Sequence, residues 1–122
     1  MDIERITAIF ELFTGESNGD EYFHLINLAM YEAGVMLRSE EYRTDYRLNY
    51  LAAAIAYYRL QQLLAARERA AYTYGGRVLK KSQNTAYEYS KELLRDYIQI
   101  CSDIIKPQNF VFRSFSGKEE EI

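Results

Sequence analysis

Between Asp45 and Tyr72 the chain runs for 28 residues without a glycine or proline, and this stretch constrains the fold more than any other feature. Alanine, leucine, arginine and glutamine are frequent in it, residues that lose little on entering a helix. At a rise of about 1.5 Å per residue the helix reaches roughly 42 Å, long for so small a chain. Its middle, Leu51-Ala52-Ala53-Ala54-Ile55-Ala56-Tyr57-Tyr58, is apolar around the whole circumference. A helix of that kind is covered on more than one side. Either it is the central helix of a bundle, or a second subunit covers part of it, with Tyr57 and Tyr58 as candidate contacts.

Shorter amphipathic stretches flank this element. Asp2 caps an expected first helix to about Phe13, with Ile3, Ile6, Phe10 and Phe13 on one face. The run Thr14 to Gly19 ends it, and Asp20 opens a second helix to about Arg38, buried through Phe23, Ile26, Met30, Ala33 and Leu37. A polar connection, Ser39 to Thr44, leads into the long helix, which Gly75-Gly76 stops. Residues 77–82 form a basic link, read as a loop or as a short strand or hairpin arm. Thr85 and Glu88 have capping-box spacing and open an expected fourth helix. Its stripe is Tyr89, Leu93, Tyr97, Ile100, Cys101 and Ile104, and Pro107 ends it.

The expectation is therefore an all-α fold: a small bundle of about four helices around one long central helix, with a Gly-Gly turn or short hairpin and an extended Phe-rich C-terminal segment. One helical domain covers residues 1–115, and residues 116–122 form a disordered acidic tail. At 122 residues the chain suits one domain and buries enough surface to fold without metals or disulfides. The single cysteine, Cys101, excludes an internal disulfide framework and suits a reducing compartment. The longest apolar run, Tyr50 to Tyr58, is too short for a bilayer. No basic-then-apolar stretch opens the chain, so a soluble intracellular protein is expected.

Charge is distributed unevenly. Residues 1–47 hold ten acids and four bases, a local charge of −6, whereas residues 48–118 hold eleven bases and five acids, a local charge of +6. Two readings follow: folding mixes these charges into a neutral surface, or the protomer has an acidic and a basic side that pair between copies. Twelve tyrosines and no tryptophan suit either half-buried core positions or protein interfaces.

Little in the sequence points to chemistry. The only histidine, His24, reads as a capping or half-buried residue rather than a base beside a nucleophile. One cysteine and one histidine cannot supply a four-ligand Cys/His zinc site. The carboxylate pairs Glu40-Glu41 and Asp20-Glu21 sit at helix ends, where solvent and the helix dipole account for them. Gly75-Gly76 followed by Lys80-Lys81-Ser82 lacks the glycine that a phosphate loop places before its lysine and follows a helix rather than a strand. What survives is a basic patch, Arg77, Lys80 and Lys81, read as a solvated turn or as a contact for a DNA backbone or an acidic partner. No catalytic, cofactor-binding or metal residue is expected, and no enzymatic activity. The segment Phe110-Val111-Phe112-Arg113-Ser114-Phe115 lies beyond the last helix, and its three phenylalanines need a cover. They fold back on the bundle, or they form a subunit interface with a neighbour.

This layout resembles the small head–tail connector (head-completion, or adaptor) proteins of long-tailed bacteriophages and prophages. The resemblance spans roughly residues 20–115. It rests on the long Ala- and Tyr-rich helix from Leu48 to Arg69, the turn Tyr74-Gly75-Gly76-Arg77-Val78, the amphipathic helix after it, and the ending Asn109-Phe110-Val111-Phe112-Arg113. It implies a mainly helical, non-enzymatic protomer without a cofactor that forms a ring of about a dozen copies beneath the portal. The implied partners are other copies of the chain, portal and tail-side proteins, and the DNA that passes through the channel, with no membrane. The implied location is the virion, assembled in the bacterial cytoplasm. The alternative expectation is a small helical protein–protein interaction module or regulator, dimeric or antitoxin-like, in bacterial cytoplasm.

Overall fold

The computed structural model describes residues 1–75 and 81–107, with the side chains of 69–75 and 81–84 left aside. Gly76 and residues 77–80 of the expected basic link, Arg77 and Lys80 among them, lie outside the described residues, as do Phe110, Phe112, Phe115 and the acidic tail 116–122, whereas Lys81 and Ser82 of that link are helical. Among the described residues there are four α-helices: α1 (Ile3–Thr14), α2 (Phe23–Met36), α3 (Arg47–Gly75) and α4 (Lys81–Ile100). The fold is small and all-α.

α1 starts and stops where its local chemistry requires. The Asp2 carboxylate accepts from the Glu4 amide at 3.0 Å, satisfying one free donor of the first turn. Gly15, at φ +78°, donates its amide to the Glu11 carbonyl and closes the helix in the left-handed conformation that glycine adopts without strain. The next turn, Gly19–Tyr22, is a short 3-10 segment, so α2 begins at Phe23 rather than at Asp20. Gly19 passes so close to α1 that an added Cβ would stand 2.8 Å from Thr7 and 2.9 Å from Glu11. The Glu11 carboxylate accepts from its amide at 2.8 Å.

α3 is the central element, with α1, α2 and α4 all packed on it. Leu48, Leu51, Ala52, Ala53, Ala54, Ile55, Ala56 and Tyr58 are all buried, which places the all-round apolar stretch inside the chain's own core. The small alanines let three helices approach one axis closely. At the start of α3 the Asp45 carboxylate accepts from the Arg47 amide at 2.9 Å, and buried Asn49 accepts from the Asp2 amide at 2.9 Å. The second bond ties the start of α1 to α3.

α4 departs from expectation in three ways. It begins at Lys81 rather than at Thr85, because Lys81 to Asn84 contain no helix breaker and extending a helix is cheaper than nucleating one later. It is also rotated: Ser90, Leu94, Ile98 and Cys101 are buried, while Tyr89 is 65% and Ile100 50% exposed. Ser90 is tolerated inside because its hydroxyl donates to the Tyr87 carbonyl at 2.7 Å. Finally, α4 ends at Ile100, short of Pro107. The Arg47 guanidinium satisfies the Ile100 carbonyl at 3.0 Å, and the chain turns so that Ile104 and Ile105 enter the core.

After that turn, Ile105 forms an antiparallel bridge with Leu37 at the end of α2. Arg38 donates to the Ile104 carbonyl at 3.0 Å and Lys106 to the Met36 carbonyl at 2.8 Å. The C-terminal end of the described chain is thereby fastened beside the C-terminal end of α2.

Candidate interaction surfaces

Of the aromatic residues singled out in α3, Tyr58 lies in the core at 1% exposure, its hydroxyl 3.4 Å from that of Tyr87. Burial raises its pKa well above that of an ordinary tyrosine, as it does for Tyr57. Tyr57 is half-buried, with its ring 6.0 Å from that of Phe13. Tyr58 is thus covered from within the chain, and Tyr57 is covered in part, by Phe13 of α1. Lys81 is the first residue of α4.

The polar candidates have ordinary structural roles. His24 is exposed on the first turn of α2, edge-on to the Phe23 ring at 5.7 Å, rather than capping or half-buried. Asp20, Glu21, Glu40 and Glu41 are exposed, and Glu40 pairs with Arg43 at 2.7 Å, which holds its carboxyl below the usual range. Arg47 binds Asp45 at 2.8 Å and Asp103 at 2.9 Å. Hydrogen bonds from Arg47 lower the pKa of both carboxyls. Cys101 is buried beside this hub, and burial pushes its thiol up to about 11. Such a thiol is a packing group rather than a nucleophile at neutral pH. Among the described residues no group of three or more His, Cys, Asp or Glu side chains could hold a metal ion.

Charge from the two halves of the chain meets inside the fold. Glu32 of the acidic half and Arg59 of the basic half pair at 2.7 Å between α2 and α3. That bond removes one charge of each sign from the asymmetry.

Two apolar surfaces remain. The first is aromatic and lies on α3 and α4. Tyr89, Leu93, Tyr97 and Ile100 follow one another at steps of four, four and three along α4, and Tyr97 stacks on Tyr50 at 5.8 Å. Tyr46, four residues before Tyr50, is exposed as well. Of the expected core stripe of α4, Cys101 and Ile104 are buried, Leu93 and Tyr97 are half-buried, and Tyr89 and Ile100 face outward.

The second surface is the outer side of α2, which sequence reasoning missed. Ile26, Ala29 and Ala33 face the core, yet Leu28, Tyr31 and Val35 are exposed at steps of three and four. α2 is therefore apolar on two faces. From Leu28 the surface continues into a groove of about 500 Å³ lined by Leu25, Arg59, Gln62, Leu63 and Tyr87. A signal was present in the sequence: Leu28, Tyr31 and Val35 occupy the positions where a one-sided helix would carry polar residues.

Among the described residues no helix is long and apolar enough to cross a membrane. No protein-family model, no curated protein and no solved structure matches the chain.

Proposed function

We propose that this chain is a structural assembly protein, a head–tail connector of a long-tailed phage or prophage. In this reading its copies pack side by side into a ring beneath the portal, bind portal and tail-side proteins, and surround the DNA channel. The observation that carries the reading is the aromatic face of Tyr46, Tyr50, Tyr89, Leu93, Tyr97 and Ile100, of which Tyr46, Tyr50, Tyr89 and Ile100 are exposed and open to a second copy. Contiguous apolar surface of that kind marks an interface in a protein that works in water. The central position and length of α3, which contains the Leu48–Arg69 stretch of the resemblance, add support. In this reading Arg77, Lys80 and Lys81 meet either the DNA backbone or an acidic neighbour.

Native mass spectrometry of the full chain across a concentration series tests the proposal. Rings of about a dozen copies are expected at high concentration. The double variant Tyr89→Glu/Ile100→Glu, altered only at exposed positions, should stay monomeric with unchanged helical circular dichroism. A chain that stops at a dimer, or a double variant that assembles normally, overturns the reading; the dimer would favour a helical interaction module instead.

A further inference from the structure

We propose that the Phe-rich segment Phe110–Phe115 docks on the outer face of α2 of its own chain, running toward the groove at Leu28. The receiving surface is the exposed stripe Val35, Tyr31 and Leu28, with Tyr31 at 70% and Val35 at 56% exposure. It leads into the groove lined by Leu25, Leu63 and Tyr87, with Arg59 and Gln62 as its polar members. An apolar stripe beside a mainly apolar groove leaves unfavourable surface in water unless something covers it.

Where the chain leads identifies the occupant. The bridge between Ile105 and Leu37 is antiparallel, and Lys106 donates to the Met36 carbonyl. Residues 105 and 106 thus run antiparallel to residues 36–38, and Lys106 is held against Met36, the last residue of α2. Val35, the neighbour of Met36 in α2, is the member of the exposed stripe closest to that contact in sequence. From Pro107 to Phe115 an extended chain reaches about 26 Å. From Val35 to Phe23 the helix spans about 18 Å, so the segment is long enough to reach along the whole outer face.

Composition fits as well. Phe110, Val111, Phe112 and Phe115 supply the apolar side chains that the stripe lacks as partners. The choice of the chain's own α2 over that of a second copy follows from tethering. Two residues separate Pro107 from Phe110, and so short a linker gives an effective concentration on the order of millimolar. Another copy competes only when the protein itself reaches that concentration. This docking is independent of ring formation through the aromatic face.

Limited trypsin digestion of the full chain tests it, read as the rate of cleavage after Arg113 in the dilute monomer. A synthetic peptide of residues 108–118 gives the rate for an uncovered segment. Cleavage of the full chain is expected to be about tenfold slower than cleavage of the peptide, at every protein concentration, since proteolysis follows the released population. Two variants should each restore the peptide's rate: Tyr31→Glu, at an exposed position of α2, and Phe110→Ala/Phe112→Ala, outside all four helices. Circular dichroism checks that both keep their helices. Equal rates for the full chain and the peptide overturn the proposal. Protection that grows with protein concentration overturns it too, because the occupant is then a second copy. Protection that survives both variants places the segment elsewhere and likewise overturns it.

Discussion

Substituting the buried alanines of α3 one at a time tests whether this helix is sealed by its own chain. Residues 51–54 stand about 100° apart around the axis, so together they sample every side of the helix. All four are fully buried, as is Ala56. Replacing Ala52, Ala53 or Ala54 with leucine inserts three carbons where no space is left. Overpacking of this kind costs about 1–3 kcal/mol. For a domain of this size each 1 kcal/mol lowers Tm by roughly 3–5 °C, so each variant should melt about 3–15 °C below the parent. Ala66→Leu, at an exposed position of the same helix, controls for the intrinsic preference of leucine and should change Tm by no more than a degree or two. Thermal melts of the dilute monomer followed by circular dichroism give the comparison. If Ala52→Leu, Ala53→Leu or Ala54→Leu melts like Ala66→Leu, that side of α3 is open in the monomer. The idea that α1, α2 and α4 alone complete its cover would then be wrong.

Three further outcomes follow from individual contacts. Gly19→Ala places a Cβ against Thr7 and Glu11 and should lower stability by about 1 kcal/mol in urea denaturation, whereas Gly19→Val, with more bulk at the same contact, should cost more. Asp45 and Asp103 have folded pKa values below their unfolded ones, so the stability they contribute is present above the ordinary carboxylate pKa and is lost as pH falls through the folded values. Arg47→Gln should flatten that acid limb of Tm against pH, and an unchanged limb would assign the acid sensitivity to other carboxyls. Cys101, raised to about 11, should react with a thiol reagent at pH 8 only as fast as the protein opens, so rapid stoichiometric labelling of the native chain would place the thiol at the surface.

Much of the helical layout is legible because its signals are local. Asp2 as a cap, Gly15 as a stop and the breaker-free run into α3 each act within a few residues, and each appears where the sequence places it. Leu51 to Ala56 require that α3 be covered on several sides, by its own chain or by another, and the fold supplies that cover from α1, α2 and α4. Facing is harder to read. In α4 the sets 89/93/97/100 and 90/94/98/101 share the same spacing, and the tyrosines make the first look like the core. Folding inserts the second because Leu94 and Ile98 bury no hydroxyl, and the backbone satisfies the hydroxyl of Ser90. In α2 the small residues Ala29 and Ala33 turn inward, leaving larger Tyr31 and Val35 outside. Spacing alone cannot rank two apolar faces, because the ranking depends on the volume left by α3. For the same reason both candidate surfaces emerge from the fold rather than from the pattern.

The clasp between Leu37 and Ile105 also has a mechanical consequence. A pull on Pro107 does not peel α4 from its free end. It first loads the two hydrogen bonds of the bridge and, through Met36 and Arg38, the junction that leads into α3. Tension applied to the C-terminal extension is thus passed to the interior of the molecule, much as a knot near a plug spares the wire behind it.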